Sequence, residues 1–412
     1  MSENPSLNRL KLTKFKLDAL LDITLSINEN LPKKELLQRY DKILREELNI
    51  GKIIIFKLDE TWKCILNSGF HSALVKKINV EKHLLQFQEI SFITTEKGPI
   101  FEEIDIVIPV TNNNITLAYV LIGDIDEEGE GVSPVIKHLH FIQTISNIII
   151  VAIENIRLNE ENVKQAATKR ELELAAKMQE MLVPQSSSLP KTNQLFASAF
   201  YHPHMEVGGD YYDFIRLSDH EYGFCISDVS GKGISAALLM SNFQANLRAL
   251  FNSEISLAEL TRKLNERVVA STNGDRFLTM FLAKYNMNTR ELNYVNAGHN
   301  PPLLYDVGKK HLDFLPSNCV GIGMIDDIPV INSQTITINC RTKLFCYTDG
   351  LTEILDENEV EAGTEMIEGS LMNDLRIDEN INEIIANYKV LEGSAAIFDD
   401  ISIIGIDFNL GS

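Results

Sequence analysis

Apolar and polar positions alternate with different periods along the chain, and the changes of period divide it into three stretches. Leu10 to Ile27 and Lys34 to Leu48 carry apolar residues at helical spacing, and Pro32 between them suits the first turn of the second helix. Short β-rich runs follow at Lys52–Leu58, Thr61–Leu66, Asp105–Val110 and Thr116–Ile122, with a turn expected at Asn112-Asn113-Asn114. From Ile149 a helical seam returns: Ile149, Ile153, Ile156, Val163, Ala167, Leu174, Met178 and Met181 fall near alternating steps of three and four, broken by Glu160 and Arg170. Flanking charges at Glu154, Arg157, Lys164, Lys169 and Glu171 predict a coiled-coil helix that pairs with its copy in a homodimer. A single amphipathic helix packed on its own domain is the alternative. Pro184 ends the helix, and Gln185-Ser186-Ser187-Ser188 reads as a linker.

Beyond Leu195 the pattern is that of strands: Phe196–Phe200, Asp213–Leu217, Tyr222–Asp228, Phe277–Tyr285, Glu291–Asn296, Leu303–Asp306, Gln334–Ile338, Lys343–Tyr347 and Ile401–Asp407. Helical blocks lie between them at Ile234–Phe251, Ser256–Ala270 and Ile377–Tyr388. Many strands with helices inserted as blocks predict a layered sandwich of mostly antiparallel sheets. The expected organisation is α+β, with a first domain over 1–148, a helical linker over 149–184 and a second domain over 185–412.

Length agrees with more than one core, because 412 residues exceed the roughly 100–200 that a single domain holds. Acidic residues outnumber basic ones by 58 to 38, a formal net charge of −20. That charge disfavours nucleic acid and anionic membrane as partners, while it can concentrate divalent cations. The five cysteines are scattered without CxxC pairing, so neither a disulfide framework nor a zinc site is indicated. Met1 to Leu20 lacks the order of a signal peptide, and the apolar stretch Ile145–Ile156 is interrupted and too short to span a bilayer. A soluble, cytoplasmic protein is expected.

Four places in the second domain set an Asp at the end of a strand-like run beside Gly or another Asp. They are Gly208-Gly209-Asp210-Tyr211-Tyr212-Asp213, Asp228-Val229-Ser230-Gly231-Lys232-Gly233, Thr348-Asp349-Gly350 and Phe398-Asp399-Asp400-Ile401-Ser402. A single Asp-Gly is most simply a turn. Four of them beside apolar strands of one domain can bring carboxylates to one spot, where they would repel one another unless a hard divalent cation such as Mn²⁺ or Mg²⁺ held them. Gly231 and Gly233 allow tight turns just before the helix at Ile234.

These motifs resemble the PP2C-type phosphatases of the bacterial SpoIIE/RsbU branch. The matching runs also include the lead-in Glu171-Leu172-Glu173-Leu174-Ala175-Ala176-Lys177-Met178-Gln179-Glu180-Met181-Leu182-Val183-Pro184 and the segment Asn296-Ala297-Gly298-His299-Asn300-Pro301-Pro302. The resemblance implies an α/β/β/α sandwich with two Mn²⁺ or Mg²⁺ ions at one end. It implies Asp210 and Asp228 as metal ligands, Asp228 bridging with the Val229 carbonyl alongside, and Asp349 and Asp399 completing the site; Asp400 is secondary to Asp399. It further implies hydrolysis of a serine or threonine phosphate on a protein, the substrate being a phosphorylated STAS-type anti-sigma factor antagonist. Two ions roughly 4 Å apart would activate a water and clamp the phosphoryl oxygens without a covalent phospho-enzyme, in keeping with the lack of a CX5R-type loop. By element order alone, Leu10 to Ile156 resembles a GAF-type sensor, with packing or dimerisation as the plainer use.

Two features depart from the eukaryotic PP2C pattern. Val229-Ser230 stands where those enzymes have a Gly-His pair after the ligand, and no early phosphate-binding Arg is evident, so leaving-group protonation is unassigned. His299 is a secondary candidate for a general acid, against the plainer reading of a structural histidine in a turn. Lys232 reads equally as a phosphate contact and as a solvated loop lysine. The stripe Ala236, Ala237, Leu239, Met240, Phe243 and Leu247 reads as helix core, on a helix that in this family can move metal ligands. Two rival functions stand beside the phosphatase: an inactive module that binds a phosphoprotein, and a hydrolase of a small phosphorylated metabolite.

Overall fold

The computed structural model describes residues 5–93, 100–112, 115–123, 134–355, 360–392 and 397–409. The chain divides into two compact units, Met1–Ala166 and Ala167–Ser412. The expected turn at Asn112-Asn113-Asn114 lies largely outside the described residues, since only Asn112 is among them.

The first unit runs α1 (Pro5–Asn28), α2 (Lys33–Lys42), β1 (Lys52–Leu58), β2 (Trp62–Ser68), α3 (Ser72–Lys77), α4 (Val80–His83), β3 (Ser91–Phe92), β4 (Ile106–Asn112) and β5 (Ile115–Gly123), then enters the long helix α5 (Pro134–Glu180). Its antiparallel sheet has the order β2-β1-β5-β4-β3. Ile53 and Ile55 of β1 pack against Ile23, Leu36, Tyr40, Ile145 and Ile149 of the helices. Ile54 and Phe56 meet Ile78, Val80, Leu84 and Phe101 on the other face. Cover on both faces explains why Ile53–Phe56 of β1 is a continuous apolar run and not an alternation. Lys57, fully buried on the α5 side, is neutralised by Asp59 Oδ1 at 2.7 Å and Glu154 Oε2 at 2.6 Å.

α5 starts well before Ile149. Phe141, Ile142, Ile145, Ile149, Ile150 and Ile153 are buried in the first unit's core, so the first part of the expected seam serves that core. Val163, Leu174, Met178 and Met181 are exposed. By length and composition this helix holds a window apolar enough to cross a membrane, and its apolar residues up to Ile153 are the ones that fill the core.

The second unit contains β6 (Leu195–His202), β7 (Tyr211–Arg216), β8 (Glu221–Val229), α6 (Ile234–Leu250), α7 (Leu257–Thr272), β9 (Leu278–Asn286), β10 (Glu291–Ala297), β11 (Leu303–Asp306), β12 (His311–Phe314), β13 (Gln334–Thr337), β14 (Thr342–Tyr347), α8 (Glu365–Leu371), α9 (Ile377–Asn387) and β15 (Ile401–Phe408). Two antiparallel sheets, β13-β10-β9-β8-β7 and β12-β11-β14-β15-β6, lie face to face. Phe224, Ile226, Phe281 and Val295 of the first share a core with Leu344, Cys346, Ile404 and Ile406 of the second and with Met240, Phe243 and Leu264 of α6 and α7. The far side of the second sheet packs Phe345, Ile401 and Ile403 against Ile377, Ile381 and Ile384 of α9 and Ile367 of α8. The layers are therefore helix, sheet, sheet, helix, preceded by a long helix.

Asp213 anchors α6 to β7. It is fully buried and accepts from Arg248 Nε at 2.7 Å and Nη2 at 2.9 Å, and from the Tyr211 hydroxyl at 2.5 Å. Replacing Arg248 strands a buried carboxylate. Arg248→Ala is expected to destabilise the second unit by about 2–3 kcal/mol, the low end for a broken buried pair because half of the Arg248 side chain already meets water. Urea unfolding of the variant beside the wild type measures it.

Candidate metal centre

The carboxylates singled out by their motifs sit at one end of the sandwich because antiparallel register puts them there. Asp210 precedes β7 and Asp228 lies near the end of β8, with Tyr211 opposite Ser227. Asp349 follows β14, and Asp399 and Asp400 precede β15, with Tyr347 opposite Ile403. Thr348 joins the sheets across this end: its Oγ1 donates to Asp210 Oδ2 at 2.7 Å and accepts from Ser402 N at 2.9 Å.

Asp399 and Asp400 have different tasks. Asp400 is buried and accepts backbone N–H groups from His204 at 2.8 Å and Gly209 at 2.6 Å. It pins the Gly208-Gly209-Asp210 turn, and Gly208 has no room for a side chain between Asp400 Oδ2 and the Tyr201 hydroxyl. Asp399 is half-buried on the cleft lined by His204, Met205, Gly231, Lys232 and Gly233. Its Oδ2 meets Lys232 Nζ at 2.8 Å, and the same ammonium donates to the Phe398 carbonyl.

The Asp228-Val229-Ser230-Gly231 turn is held from two directions. The Val229 carbonyl stands beside Gly209, 3.1 Å from where a side chain on that residue would begin. Arg276 Nη1 donates to the Ser230 carbonyl at 2.5 Å and lies against Gly231, whose φ of +85° also excludes a side chain in comfort. Arg276 carries no sequence signal for this role.

Burial and mutual repulsion raise the proton affinity of Asp210, Asp228 and Asp349. Burial, then Asp349, Asp399 and Asp400, lifts Asp228 to about 8. Burial, then Asp228 and Asp400, holds Asp210 well above the ordinary aspartate range, and burial with Asp399 raises Asp349. Glu353, one turn beyond Asp349, is raised by burial and then by Asp349 and Glu361. Among the described residues Lys232 is the one cation paired with any of Asp210, Asp228, Asp349, Asp399 and Asp400, and no three acid, imidazole or thiol groups form a finished metal cage. Hard oxygen donors with too little positive charge among them fit divalent cations. Asp210, Asp228, Asp349 and Asp399, with the Val229 carbonyl, are the groups that would hold them.

His299 bonds to a hydroxyl and not to one of these carboxylates. It is buried, shares a hydrogen bond of 2.8 Å between Nδ1 and Thr279 Oγ1, and receives its place from its own N–H on Asn296 Oδ1. Burial lowers its pKa to about 4, so it is neutral at neutral pH. Thr279 is the register partner of Asp228, which makes His299 a support for that strand pair.

Residues 218–409 match the family model described as stage II sporulation protein E (SpoIIE). This unit is a PP2C-type phosphatase domain of the SpoIIE family. The chain is 28% identical over 246 residues to phosphoserine phosphatase RsbU of Bacillus subtilis (strain 168), covering 55% of this chain and 72% of that protein. It is 32% identical over 197 residues to phosphoserine phosphatase RsbP of the same organism, covering 45% and 46%; the chain thus spans about half the length of RsbP. Among solved structures, the SiaA PP2C domain of Pseudomonas aeruginosa shares the fold, with a TM-score of 0.51 and 19% identity over 60% of this chain and 99% of that one. Phosphatases of the PP2C family use divalent metal ions, in keeping with the donor set at this end of the sandwich.

Two residues stand within the quoted runs, but their roles do not show in the sequence. Thr348 acts through partners far away in sequence. Gln179, in the last turn of α5, pairs with both backbone groups of Gly208, donating from Nε2 to the carbonyl at 2.6 Å and accepting on Oε1 at 3.1 Å. The raised pKa of Asp228 sets a linkage. The stability contributed by its protonation is complete below the ordinary aspartate range and is lost as the pH rises through about 8. With EDTA the Tm is therefore expected to fall from about pH 4 to about pH 8 and to level off above it, and the rise in Tm on adding Mn²⁺ to grow over the same window, by differential scanning fluorimetry.

Proposed function

We propose that the second unit removes phosphate from a phosphoserine or phosphothreonine of another protein, with two divalent cations, Mn²⁺ or Mg²⁺, at Asp210, Asp228, Val229, Asp349 and Asp399. The observation that carries this reading is the meeting of acids from both sheets at one open end, in a domain of a phosphatase family. Two such ions, when bound, make water a nucleophile at neutral pH and neutralise charge on a phosphoryl group. The chain's own part is positional. Thr348 orients the Asp210 carboxylate, Asp400 fixes the turn that presents it, and Arg276 holds the turn that presents Asp228.

A protein substrate is favoured over a small metabolite by the surroundings of the cleft. Met205 lines the cleft and is 45% exposed, and Ile234 and Phe398, next in the chain to the lining residues Gly233 and Asp399, are 58% and 52% exposed, apolar surface suited to a macromolecular partner. By analogy with RsbU and RsbP, both named phosphoserine phosphatases, the substrate is a phosphorylated STAS-type anti-sigma factor antagonist, and the reaction a step of cytoplasmic partner switching. The first unit acts as a GAF-like sensor, a reading supported by its five-stranded antiparallel sheet with helices on both faces. Domain limits of 1–148, 149–184 and 185–412 accompany this reading, with exposed Val163, Leu174, Met178 and Met181 offering a seam for a homodimer.

Hydrolysis of a phosphoserine protein by the purified chain with Mn²⁺, and its loss with EDTA, tests the activity. Asp228→Asn and Asp349→Asn are expected to lower turnover by more than the roughly 10–100-fold that loss of an outer partner costs at a metal site. Wild-type levels of turnover in either variant, or turnover indifferent to EDTA, would sink the two-metal reading. Gln179→Ala tests the helix as the route of control. It releases the Gly208 turn from α5 and is expected to change kcat by about tenfold or more with the fold intact by circular dichroism, whereas an unchanged kcat removes this contact from the route.

A further inference from the structure

Lys232 is the residue whose place the site chemistry does not use. It stands between Gly231 and Gly233, whose φ values of +85° and +77° commit the backbone on either side to a conformation other residues avoid. The loop so formed delivers the ammonium to Asp399, with Nζ 2.8 Å from Oδ2 and a second bond to the Phe398 carbonyl. The other Asp399 oxygen accepts the Asp400 N–H at 2.8 Å. Both oxygens of a prospective metal ligand are thus already engaged, and one of them by a positive charge. An ammonium has three donors and no lone pair, so it cannot join a cation's coordination shell; it can only oppose a second positive charge on the same carboxylate.

We propose that Lys232 is a built-in competitor for the divalent cation that takes Asp399 as a ligand. The ammonium holds Asp399 in the cleft, and the cation has to displace it on binding. Lys232 then sets the cation concentration at which that position fills, and the displaced side chain, 42% exposed at its present site, has open solvent to move into. The proposal rests on the two-metal reading of the second unit, and it assigns to Lys232 a task at the metal centre in place of a contact to phosphate.

Isothermal titration of Mn²⁺ into the metal-stripped full-length chain, without substrate, tests it. Lys232→Met keeps the length of the side chain and removes the charge; it is expected to tighten binding at the Asp399 position by about tenfold, the scale of one charge contact at a half-exposed site. Lys232→Arg keeps the charge and is expected to bind like the wild type. In an Asp399→Asn background the effect of Lys232→Met is expected to vanish. Saturable binding that is unchanged or weaker in Lys232→Met, with the Tm in EDTA unaltered, overturns the proposal alone. Absence of saturable binding in both wild type and Lys232→Met overturns it together with the metal reading on which it rests.

Discussion

Repulsion among carboxylates gathered at one end of a β-sandwich is the constraint on which the rest of the second unit turns. Antiparallel register brings the start of β7 and the end of β8 to the same edge as the end of β14 and the start of β15. Four acids at those positions are neighbours by topology, whatever their chemistry prefers. Neutral donors organise what repulsion would scatter: the Thr348 hydroxyl on Asp210 and the backbone N–H groups of His204 and Gly209 on Asp400. Hydrogen bonds of this kind fix orientation without supplying net charge, so the deficit of positive charge persists.

The rest of the molecule treats buried charge differently, and the contrast marks the site. Asp213 has Arg248, Asp407 has Arg341 at 3.0 and 2.6 Å, and Lys57 has Asp59 and Glu154. Lys284 is wrapped by the carbonyls of Asn252, Ser253 and Ile255, and Lys343 by oxygens of Asn373, Asn380 and Leu371. Each of these charges is paired or solvated by fixed dipoles, as burial demands. A fold that pairs or solvates these buried charges and leaves a surplus of one sign at a cleft has left work for a ligand of the opposite sign.

Much of this was legible in the sequence, for reasons that can be named. The run Lys52–Leu58 is a strand in both readings because it holds the apolar block Ile53–Phe56 and is bounded by turn residues, and Leu303–Asp306 likewise holds Leu303, Leu304 and Tyr305. The strand His311–Phe314 is four residues long and largely exposed, held by pairing with β11 and not by burial, so its alternation is too short to announce it. Helix α8 is seven residues long and contains Gly369, again too little for periodicity. The acids were legible because Asp beside Gly interrupts an apolar run. Thr348 and Gln179 were not, since each is defined by a partner distant in sequence, 138 and 29 residues away. The seam from Ile149 misled in its first turns for a physical reason: apolar spacing in a helix is the same whether the covering surface is a second helix or the core of its own unit.

Lys232 brings these strands together. Its loop is continuous with β8 on one side and with α6 on the other, so the position of the ammonium depends on where that helix begins. The helix start has Gly233 as its cap, with no side chain to fix it. Asp213 and Arg248 tie the far end of the same helix to β7, while Arg276 holds the turn before it at Ser230 and Gly231. Ala236, in the first turn of α6, is buried in the core, so the place of the ammonium is tied to the packing of the helix. If Lys232 competes for Asp399 as proposed, the packing of α6 bears on how readily a cation takes that carboxylate, and not on the geometry of the reacting groups.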